Sequence, residues 1–305
     1  MDMQVIITQL AVLFILLAAG YTAGRVKFLT PDDSKMLTKI VINITAPCTI
    51  ITSVMGGELS ASGGETALFM LFTFLAFLLY LVIALPASRA LGGDKRNVGL
   101  YGYMAGFGNA AFMGFPVTIA IFGAASAYYV ALYNIPFMIL TFSVGIVLIS
   151  GKGKKIGPRE LLNPTIFAAI LAIIMMMTGI NTPTIISEVI RLTGGVTTPA
   201  SMLVVGSTLA QIPLKSVFSE WRLYPMALLK LIVMPVAAWL VFRNIITNEL
   251  MLGVLVILSG MPVAVLSAMI AIKYGGNEHI ASSGIFITTL LSIVTIPLIV
   301  YLLLM

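Results

Sequence analysis

The chain has 305 residues, 60% of them hydrophobic and 9% charged, with 17 lysines and arginines, 11 acids and one cysteine. Soluble domains average about 25% charged residues. No water-soluble fold hides this much apolar surface, so the bilayer is the solvent (mean hydropathy +1.10). The net charge of +6 then belongs to loops facing anionic lipid, and a nucleic-acid module, an intrachain disulfide and a cysteine-rich metal cluster are excluded.

Apolar runs of about 20 residues, the length a spanning helix needs, occur ten times: 4–24, 36–55, 66–88, 98–122, 127–150, 163–180, 188–209, 223–243, 250–272 and 280–304. They predict an all-α polytopic membrane protein with ten transmembrane helices. Ahead of the first run, Asp2 stands where a secretory signal carries basic residues, and the apolar stretch reaches Ala23, so it reads as a retained span. Its Gly20-Tyr21-Thr22-Ala23-Gly24 stretch suits close helix packing or a dimer contact. The second run holds Asn43, a turn before Pro47, as cavity lining or packing, and Cys48 as a small packing residue.

The fourth run is interrupted by Gly106-Phe107-Gly108-Asn109-Ala110-Ala111-Phe112-Met113-Gly114-Phe115-Pro116. Proline lacks an amide donor and clashes with the preceding turn. In lipid such a gap survives only where protein or a wet cavity serves the freed backbone groups. Asn109 is the leading candidate to meet a ligand; its alternative is an interhelical hydrogen bond. A loose dinucleotide fingerprint here follows no strand and is discarded. In the fifth run Asn134, between Tyr133 and Pro136, lines a cavity or packs. Ser201, Ser207 and Thr208 in the seventh meet a ligand or bond their own backbone.

Lys230, in the eighth run, is the only charge deep in a span, roughly 12 Å past Arg222 at about 1.5 Å per residue. It serves substrate or coupling, holds the broken helix, or snorkels to the interface. The ninth run repeats the interruption as Ser259-Gly260-Met261-Pro262-Val263. Paired interruptions in two halves point to a transporter's substrate site. Half-helix amides there would face an anion, with Gly114 and Gly260 allowing close approach; the alternative is that Pro116 and Pro262 only kink packed helices. His279 falls at the edge of the tenth run and reads as solvated.

Alternate loops hold 14 of the 17 basic residues, which makes those loops cytoplasmic and both termini extracytoplasmic. The central loop, 152–159, separates two five-span halves, 1–151 and 152–305, and an odd span number inverts the second. Two matches support a repeat. Ile44-Thr45-Ala46-Pro47-Cys48-Thr49 pairs with Val196-Thr197-Thr198-Pro199-Ala200-Ser201, and Gly114 to Val117 pairs with Gly260 to Val263. No acid lies deep in a span, and no catalytic set, phosphate loop or metal-ligand spacing is present, so neither cofactor nor metal is expected.

These residues resemble the auxin efflux carrier family, the bacterial carriers related to the plant PIN-formed proteins. The likeness runs the whole chain: Gly20-Tyr21 with Gly24-Arg25, Asn43 to Pro47, Gly108-Asn109 through Phe112-Met113-Gly114-Phe115-Pro116, Leu229-Lys230-Leu231 to Pro235, Met261-Pro262, Ser282-Ser283-Gly284 and Ile296-Pro297. The resemblance implies an inverted repeat like that of bile-acid symporters. Spans 1, 2, 6 and 7 would form a scaffold, and spans 3–5 and 8–10 a transport domain crossed at Pro116 and Pro262. It implies alternating access of elevator type and export or exchange of a small organic anion, auxin-like or malonate-like, in the bacterial inner membrane. Asn109 and Asn134 would contact it. The predicted site gathers Asn109, Phe112, Gly114, Pro116, Asn134, Gly260 and Pro262, with Asn43 and Ser201 beside it and Lys230 as coupling or structural charge. Expected partners are the anion, membrane lipid and a second copy through the scaffold. The chain lacks the plant members' long central loop and has Val263 where they have glutamine, which counts against auxin itself.

Two other readings compete. A passive anion channel would present a continuous polar stripe, whereas the polar residues here cluster near two breaks. A membrane-embedded enzyme would need buried acids, histidines or metal ligands.

Overall fold

A computed structural model describes residues 3–55, 63–91, 95–150, 164–180, 182–213 and 217–305. The central basic loop, 152–159, lies outside them. Helix occupies the body of every predicted run, and the described residues contain no strand, only one isolated antiparallel bridge. Among the described residues six helical segments are long and apolar enough to cross a membrane: Met3–Arg25, Gly63–Ala90, Ser126–Ile149, Thr184–Ala210, Leu223–Phe242 and Glu278–Leu304.

In chain order the helices are α1 (Met3–Arg25), α2 (Pro31–Ile40), α3 (Ala46–Thr52), α4 (Gly63–Ala90), α5 (Lys95–Gly106) and α6 (Phe115–Phe122). Then come α7 (Ser126–Leu140), α8 (Ile146–Ser150), α9 (Pro164–Thr178), α10 (Thr184–Gly195) and α11 (Thr197–Ala210). The last are α12 (Leu223–Leu228), α13 (Met234–Phe242), α14 (Glu249–Ser259), α15 (Leu266–Tyr274) and α16 (Glu278–Ile299). The seventh run thus starts at Thr184, four residues before its predicted edge, and bends at Val196 between α10 and α11.

Among the described residues five π-turns occur, at Val41–Thr45, Ala110–Gly114, Thr141–Gly145, Leu229–Val233 and Val300–Leu304. Each lies within a few residues of a proline: Pro47, Pro116, Pro136, Pro235 and Pro297. A proline has no amide for the normal ladder, and its ring crowds the carbonyl one turn back. In the three turns that end two residues before a proline, at Pro47, Pro116 and Pro235, widening by one residue relieves both problems.

Helix α1 packs along α11, and α3 lies between α9 and α10. Helix α4 packs on α5 and α7, α13 on α14, and α15 on α16. The α1–α11 contact explains the small residues near the end of the first run. A methyl at Gly206 would lie 2.0 Å from the Leu17 carbonyl oxygen, and one at Gly20 would lie 2.5 Å from that of Leu203. Gly20 and Gly24 therefore face a helix of their own chain. The stretch serves close helix packing within the chain.

Candidate functional site

The centre of the molecule is the meeting of the two interrupted helices. Helix α5 ends at Gly106 and α14 at Ser259, and the extended residues after each pair across one another. Gly108 and Val263 form the antiparallel bridge. The Asn109 amide donates to the Pro262 carbonyl at 2.7 Å, and the Ala264 amide donates to the Phe107 carbonyl at 3.3 Å. The Val263 amide, pointing the other way, donates to Thr288 Oγ1 at 3.0 Å. Each gap thus satisfies the other's backbone groups, as a break inside a bilayer requires.

This corrects the predicted place of the crossing. The chains cross at Gly108 and Val263, several residues before Pro116. Pro116 sits just after the Ala110–Gly114 π-turn, which runs on into α6 and accommodates its missing amide. Pro262 does belong to the crossing, through its carbonyl.

Asn109 is 4% exposed and caps the segment that follows it: its Oδ1 accepts from the Phe112 amide at 3.3 Å. Its Nδ2 has no hydrogen-bond partner among the described residues. Not every amide of the restarting helices is used. Those of Ala111, Val265 and Leu266 have no backbone acceptor, and all three residues are partly exposed. These are the positive ends of the resumed half-helices, where backbone amides and helix dipole both favour an anion.

Phe112 leaves the break toward the Val41–Thr45 π-turn, α3 and α11, packing against Val41, Ala46 and Ala200. Two buried hydroxyls on those elements, Thr45 Oγ1 and Ser201 Oγ, have no hydrogen-bond partner. Sequence reasoning selected Ser201 but passed over Thr45, although both stand in the two matched proline motifs. That match was the available signal. Thr288 was missed too: a threonine beside Thr289 in an apolar run carries no mark of the amide it serves.

Other predicted residues fall elsewhere. Asn43 is exposed, and its amide donates to the Lys39 carbonyl of its own helix at 2.7 Å. Asn134 is buried and donates to the Val130 carbonyl at 2.8 Å, on α7, which packs against the Ala110–Gly114 turn. Gly114 and Gly260 do not open onto a ligand space. A methyl at Gly114 would meet Leu258 Cδ2 at 2.7 Å, and one at Gly260 would meet Ile299 Cδ1 at 2.9 Å. Both spare room for packed side chains. Lys230 does not snorkel: it is 0% exposed and donates to the Ser259 carbonyl at 2.9 Å. His279 is exposed, as expected.

Aromatic rings brace the crossing. Phe107 stacks on Tyr103 at 4.6 Å between centroids and on Phe77 at 5.4 Å, with Phe137 tilted against it. A cavity of about 380 Å³ lies between α1 and α6, lined by Val12, Leu13, Leu16, Pro116 and Ile119, with Gln9 and Thr198 as its polar members. Among the described residues no group of histidine, cysteine or acidic side chains is placed to hold a metal ion.

A family model described as membrane transport protein, the auxin efflux carriers, matches residues 5–161 and 154–300. The chain belongs to that family. Similar members include an uncharacterized transporter of Methanothermobacter thermautotrophicus, 28% identical over 294 residues, covering 95% of this chain and 96% of the relative. Another, from Methanocaldococcus jannaschii, is 28% identical over 297 residues, covering 94% and 95%. The uncharacterized transporter YfdV of Escherichia coli is 23% identical over 306 residues, covering 97% and 96%. The protein is a multi-pass membrane transporter, and these relatives match it almost end to end.

Proposed function

We propose that this auxin efflux carrier relative moves a small carboxylate, malonate-like or another mono- or dicarboxylate, by alternating access. The observation that carries the reading is the paired crossing. It leaves the Ala111, Val265 and Leu266 amides uncommitted beside Asn109 Nδ2, and amides at helix starts bind carboxylates without a cationic side chain in contact. Phe112, with the unpartnered Thr45 and Ser201 hydroxyls nearby, supplies the opposite wall.

In this reading the first five spans and the last five form an inverted repeat. Spans 1, 2, 6 and 7 stand as scaffold while spans 3–5 and 8–10 carry the crossing past them, elevator fashion. The basic loops face the cytoplasm across the bacterial inner membrane, and both termini lie outside.

Proteoliposomes test it. A panel of labelled mono- and dicarboxylates, with imposed proton and sodium gradients, should show saturable uptake of at least one. Uptake that never saturates would mean a passive pore. In a Cys48→Ala background, Gly153→Cys should react with impermeant maleimide only from the cytoplasmic face, and Gly63→Cys only from the other. Labelling of both from one face removes the inverted repeat.

A further inference from the structure

We propose that Lys230 is the resident counter-cation of the crossing, holding two negative helix ends neutral so that the two positive ends remain attractive to a carboxylate. The inference rests on the carboxylate reading above and adds a residue that touches no substrate.

The chain places this ammonium with care. Its side chain rises from the π-turn Leu229–Val233, which packs on α5 and α16. Its Nζ donates to the carbonyl of Ser259, the last residue of α14. The carbonyls just before it already have backbone donors: Val256 and Ile257 receive the Gly260 amide, and Leu258 receives that of Met261. The terminal carbonyl is left for the lysine. On the other side, a methyl at Gly108 would lie 3.0 Å from Nζ and 3.1 Å from the Met261 carbonyl oxygen. Gly108 stands just past the end of α5, and a Cβ there would push the ammonium back by a few tenths of an ångström.

Lys230 therefore lies between the C-terminal ends of two half-helices. Each such end carries about −0.5 of an elementary charge, so together they balance one ammonium. No carboxylate takes part: none of the described acidic residues is buried, and Lys230 makes no ion pair. The hydroxyl of Tyr80 is fully buried and without a hydrogen-bond partner.

The same arithmetic runs in reverse at the helix starts. The restarts at Ala110 and Leu266 each present about +0.5 of a charge, matched to one carboxylate. Without Lys230 the two negative ends would sit uncompensated a few residues away in a medium of low dielectric and cancel much of that attraction. Lys230 is a positioning residue that acts through the backbone. If its side chain is cut back, a small primary ammonium is the chemical class that fits the vacated place.

The test uses the purified full chain with malonate and indole-3-acetate as anionic probes. Lys230→Met, close in volume and uncharged, should weaken binding about 30-fold or more, the effect of removing one member of a buried charge pair. In Lys230→Ala, ethylammonium chloride should restore at least tenfold of the loss and raise the melting temperature, whereas propanol should do neither. Wild type should not respond to ethylammonium. Lys230→Met carries the test where the alanine variant does not accumulate.

Wild-type affinity in Lys230→Met overturns the proposal and leaves the carboxylate carrier standing. Ethylammonium that raises the melting temperature of Lys230→Ala without restoring anion affinity also overturns it, because the charge would then be structural only. A wild type that binds neither anion, and takes up no other carboxylate, removes both readings together.

Discussion

Asn109 does two jobs that one substitution confounds. Its Oδ1 caps the Phe112 amide, while its Nδ2 is left for a ligand. Alanine suits a helix interior, but Asn109 stands at a helix start, so Asn109→Ala loses a cap as well as a ligand contact. The lost cap costs about 0.5–2 kcal/mol of stability. The lost hydrogen bond to a charged group costs about 1.5–3 kcal/mol, a roughly 10- to 150-fold weaker binding constant. Asn109→Ser separates the two, because its hydroxyl still caps but no amide reaches out. We expect Asn109→Ser to melt near wild type and bind carboxylate with the reduced affinity, read by calorimetry. Asn109→Asp keeps the cap and adds a negative charge, so it should bind no carboxylate at all. Unchanged affinity in the serine variant would make Asn109 a cap and nothing more.

Helix pairs are set by a few close approaches. Gly206 is the tightest between α1 and α11, where a methyl would stand 2.0 Å from the Leu17 carbonyl oxygen and 2.6 Å from the Tyr21 amide nitrogen. Replacing glycine by alanine favours a helix by about 1 kcal/mol. Here the obstacle is backbone, which no rotamer change relieves, and overpacking of this kind costs about 1–3 kcal/mol. The second effect wins. Gly206→Ala should lower the melting temperature of the detergent-solubilised protein, while its carboxylate affinity, set at a crossing on other helices, stays within a few-fold of wild type. A melting temperature at or above wild type would show that α1 moves aside at no cost.

Transport by a moving domain requires the seam between α1 and α6 to slide. Leu13 on α1 and Ala120 on α6 line the same cavity of about 380 Å³. In a Cys48→Ala background, Leu13→Cys with Ala120→Cys should transport normally until joined by a short bis-maleimide. The cross-link should then cut uptake at least tenfold while anion binding persists. Full uptake through the linked pair would rule out relative motion of these helices.

Much of the molecule is legible in the residues themselves. Composition alone requires the bilayer, because hydrophobic content and run length are local sums that no folding changes. The ten helical runs, the two interruptions and the family follow from apolar length, proline placement and the paired motifs. What only the tertiary structure decided lies where distant segments meet. The crossing falls at Gly108 and Val263 because backbone groups exposed in one half find donors and acceptors in the other, and a proline seven or eight residues further on cannot specify that. Gly114, Gly206 and Gly260 read alike as glycines, yet each is explained by the particular atom that fills its missing methyl's place. Lys230 reads as a stray charge until the orphan carbonyl of Ser259 is seen beside it. A buried charge is stabilised by its neighbours in space, and these come from the opposite sides of two separately broken helices.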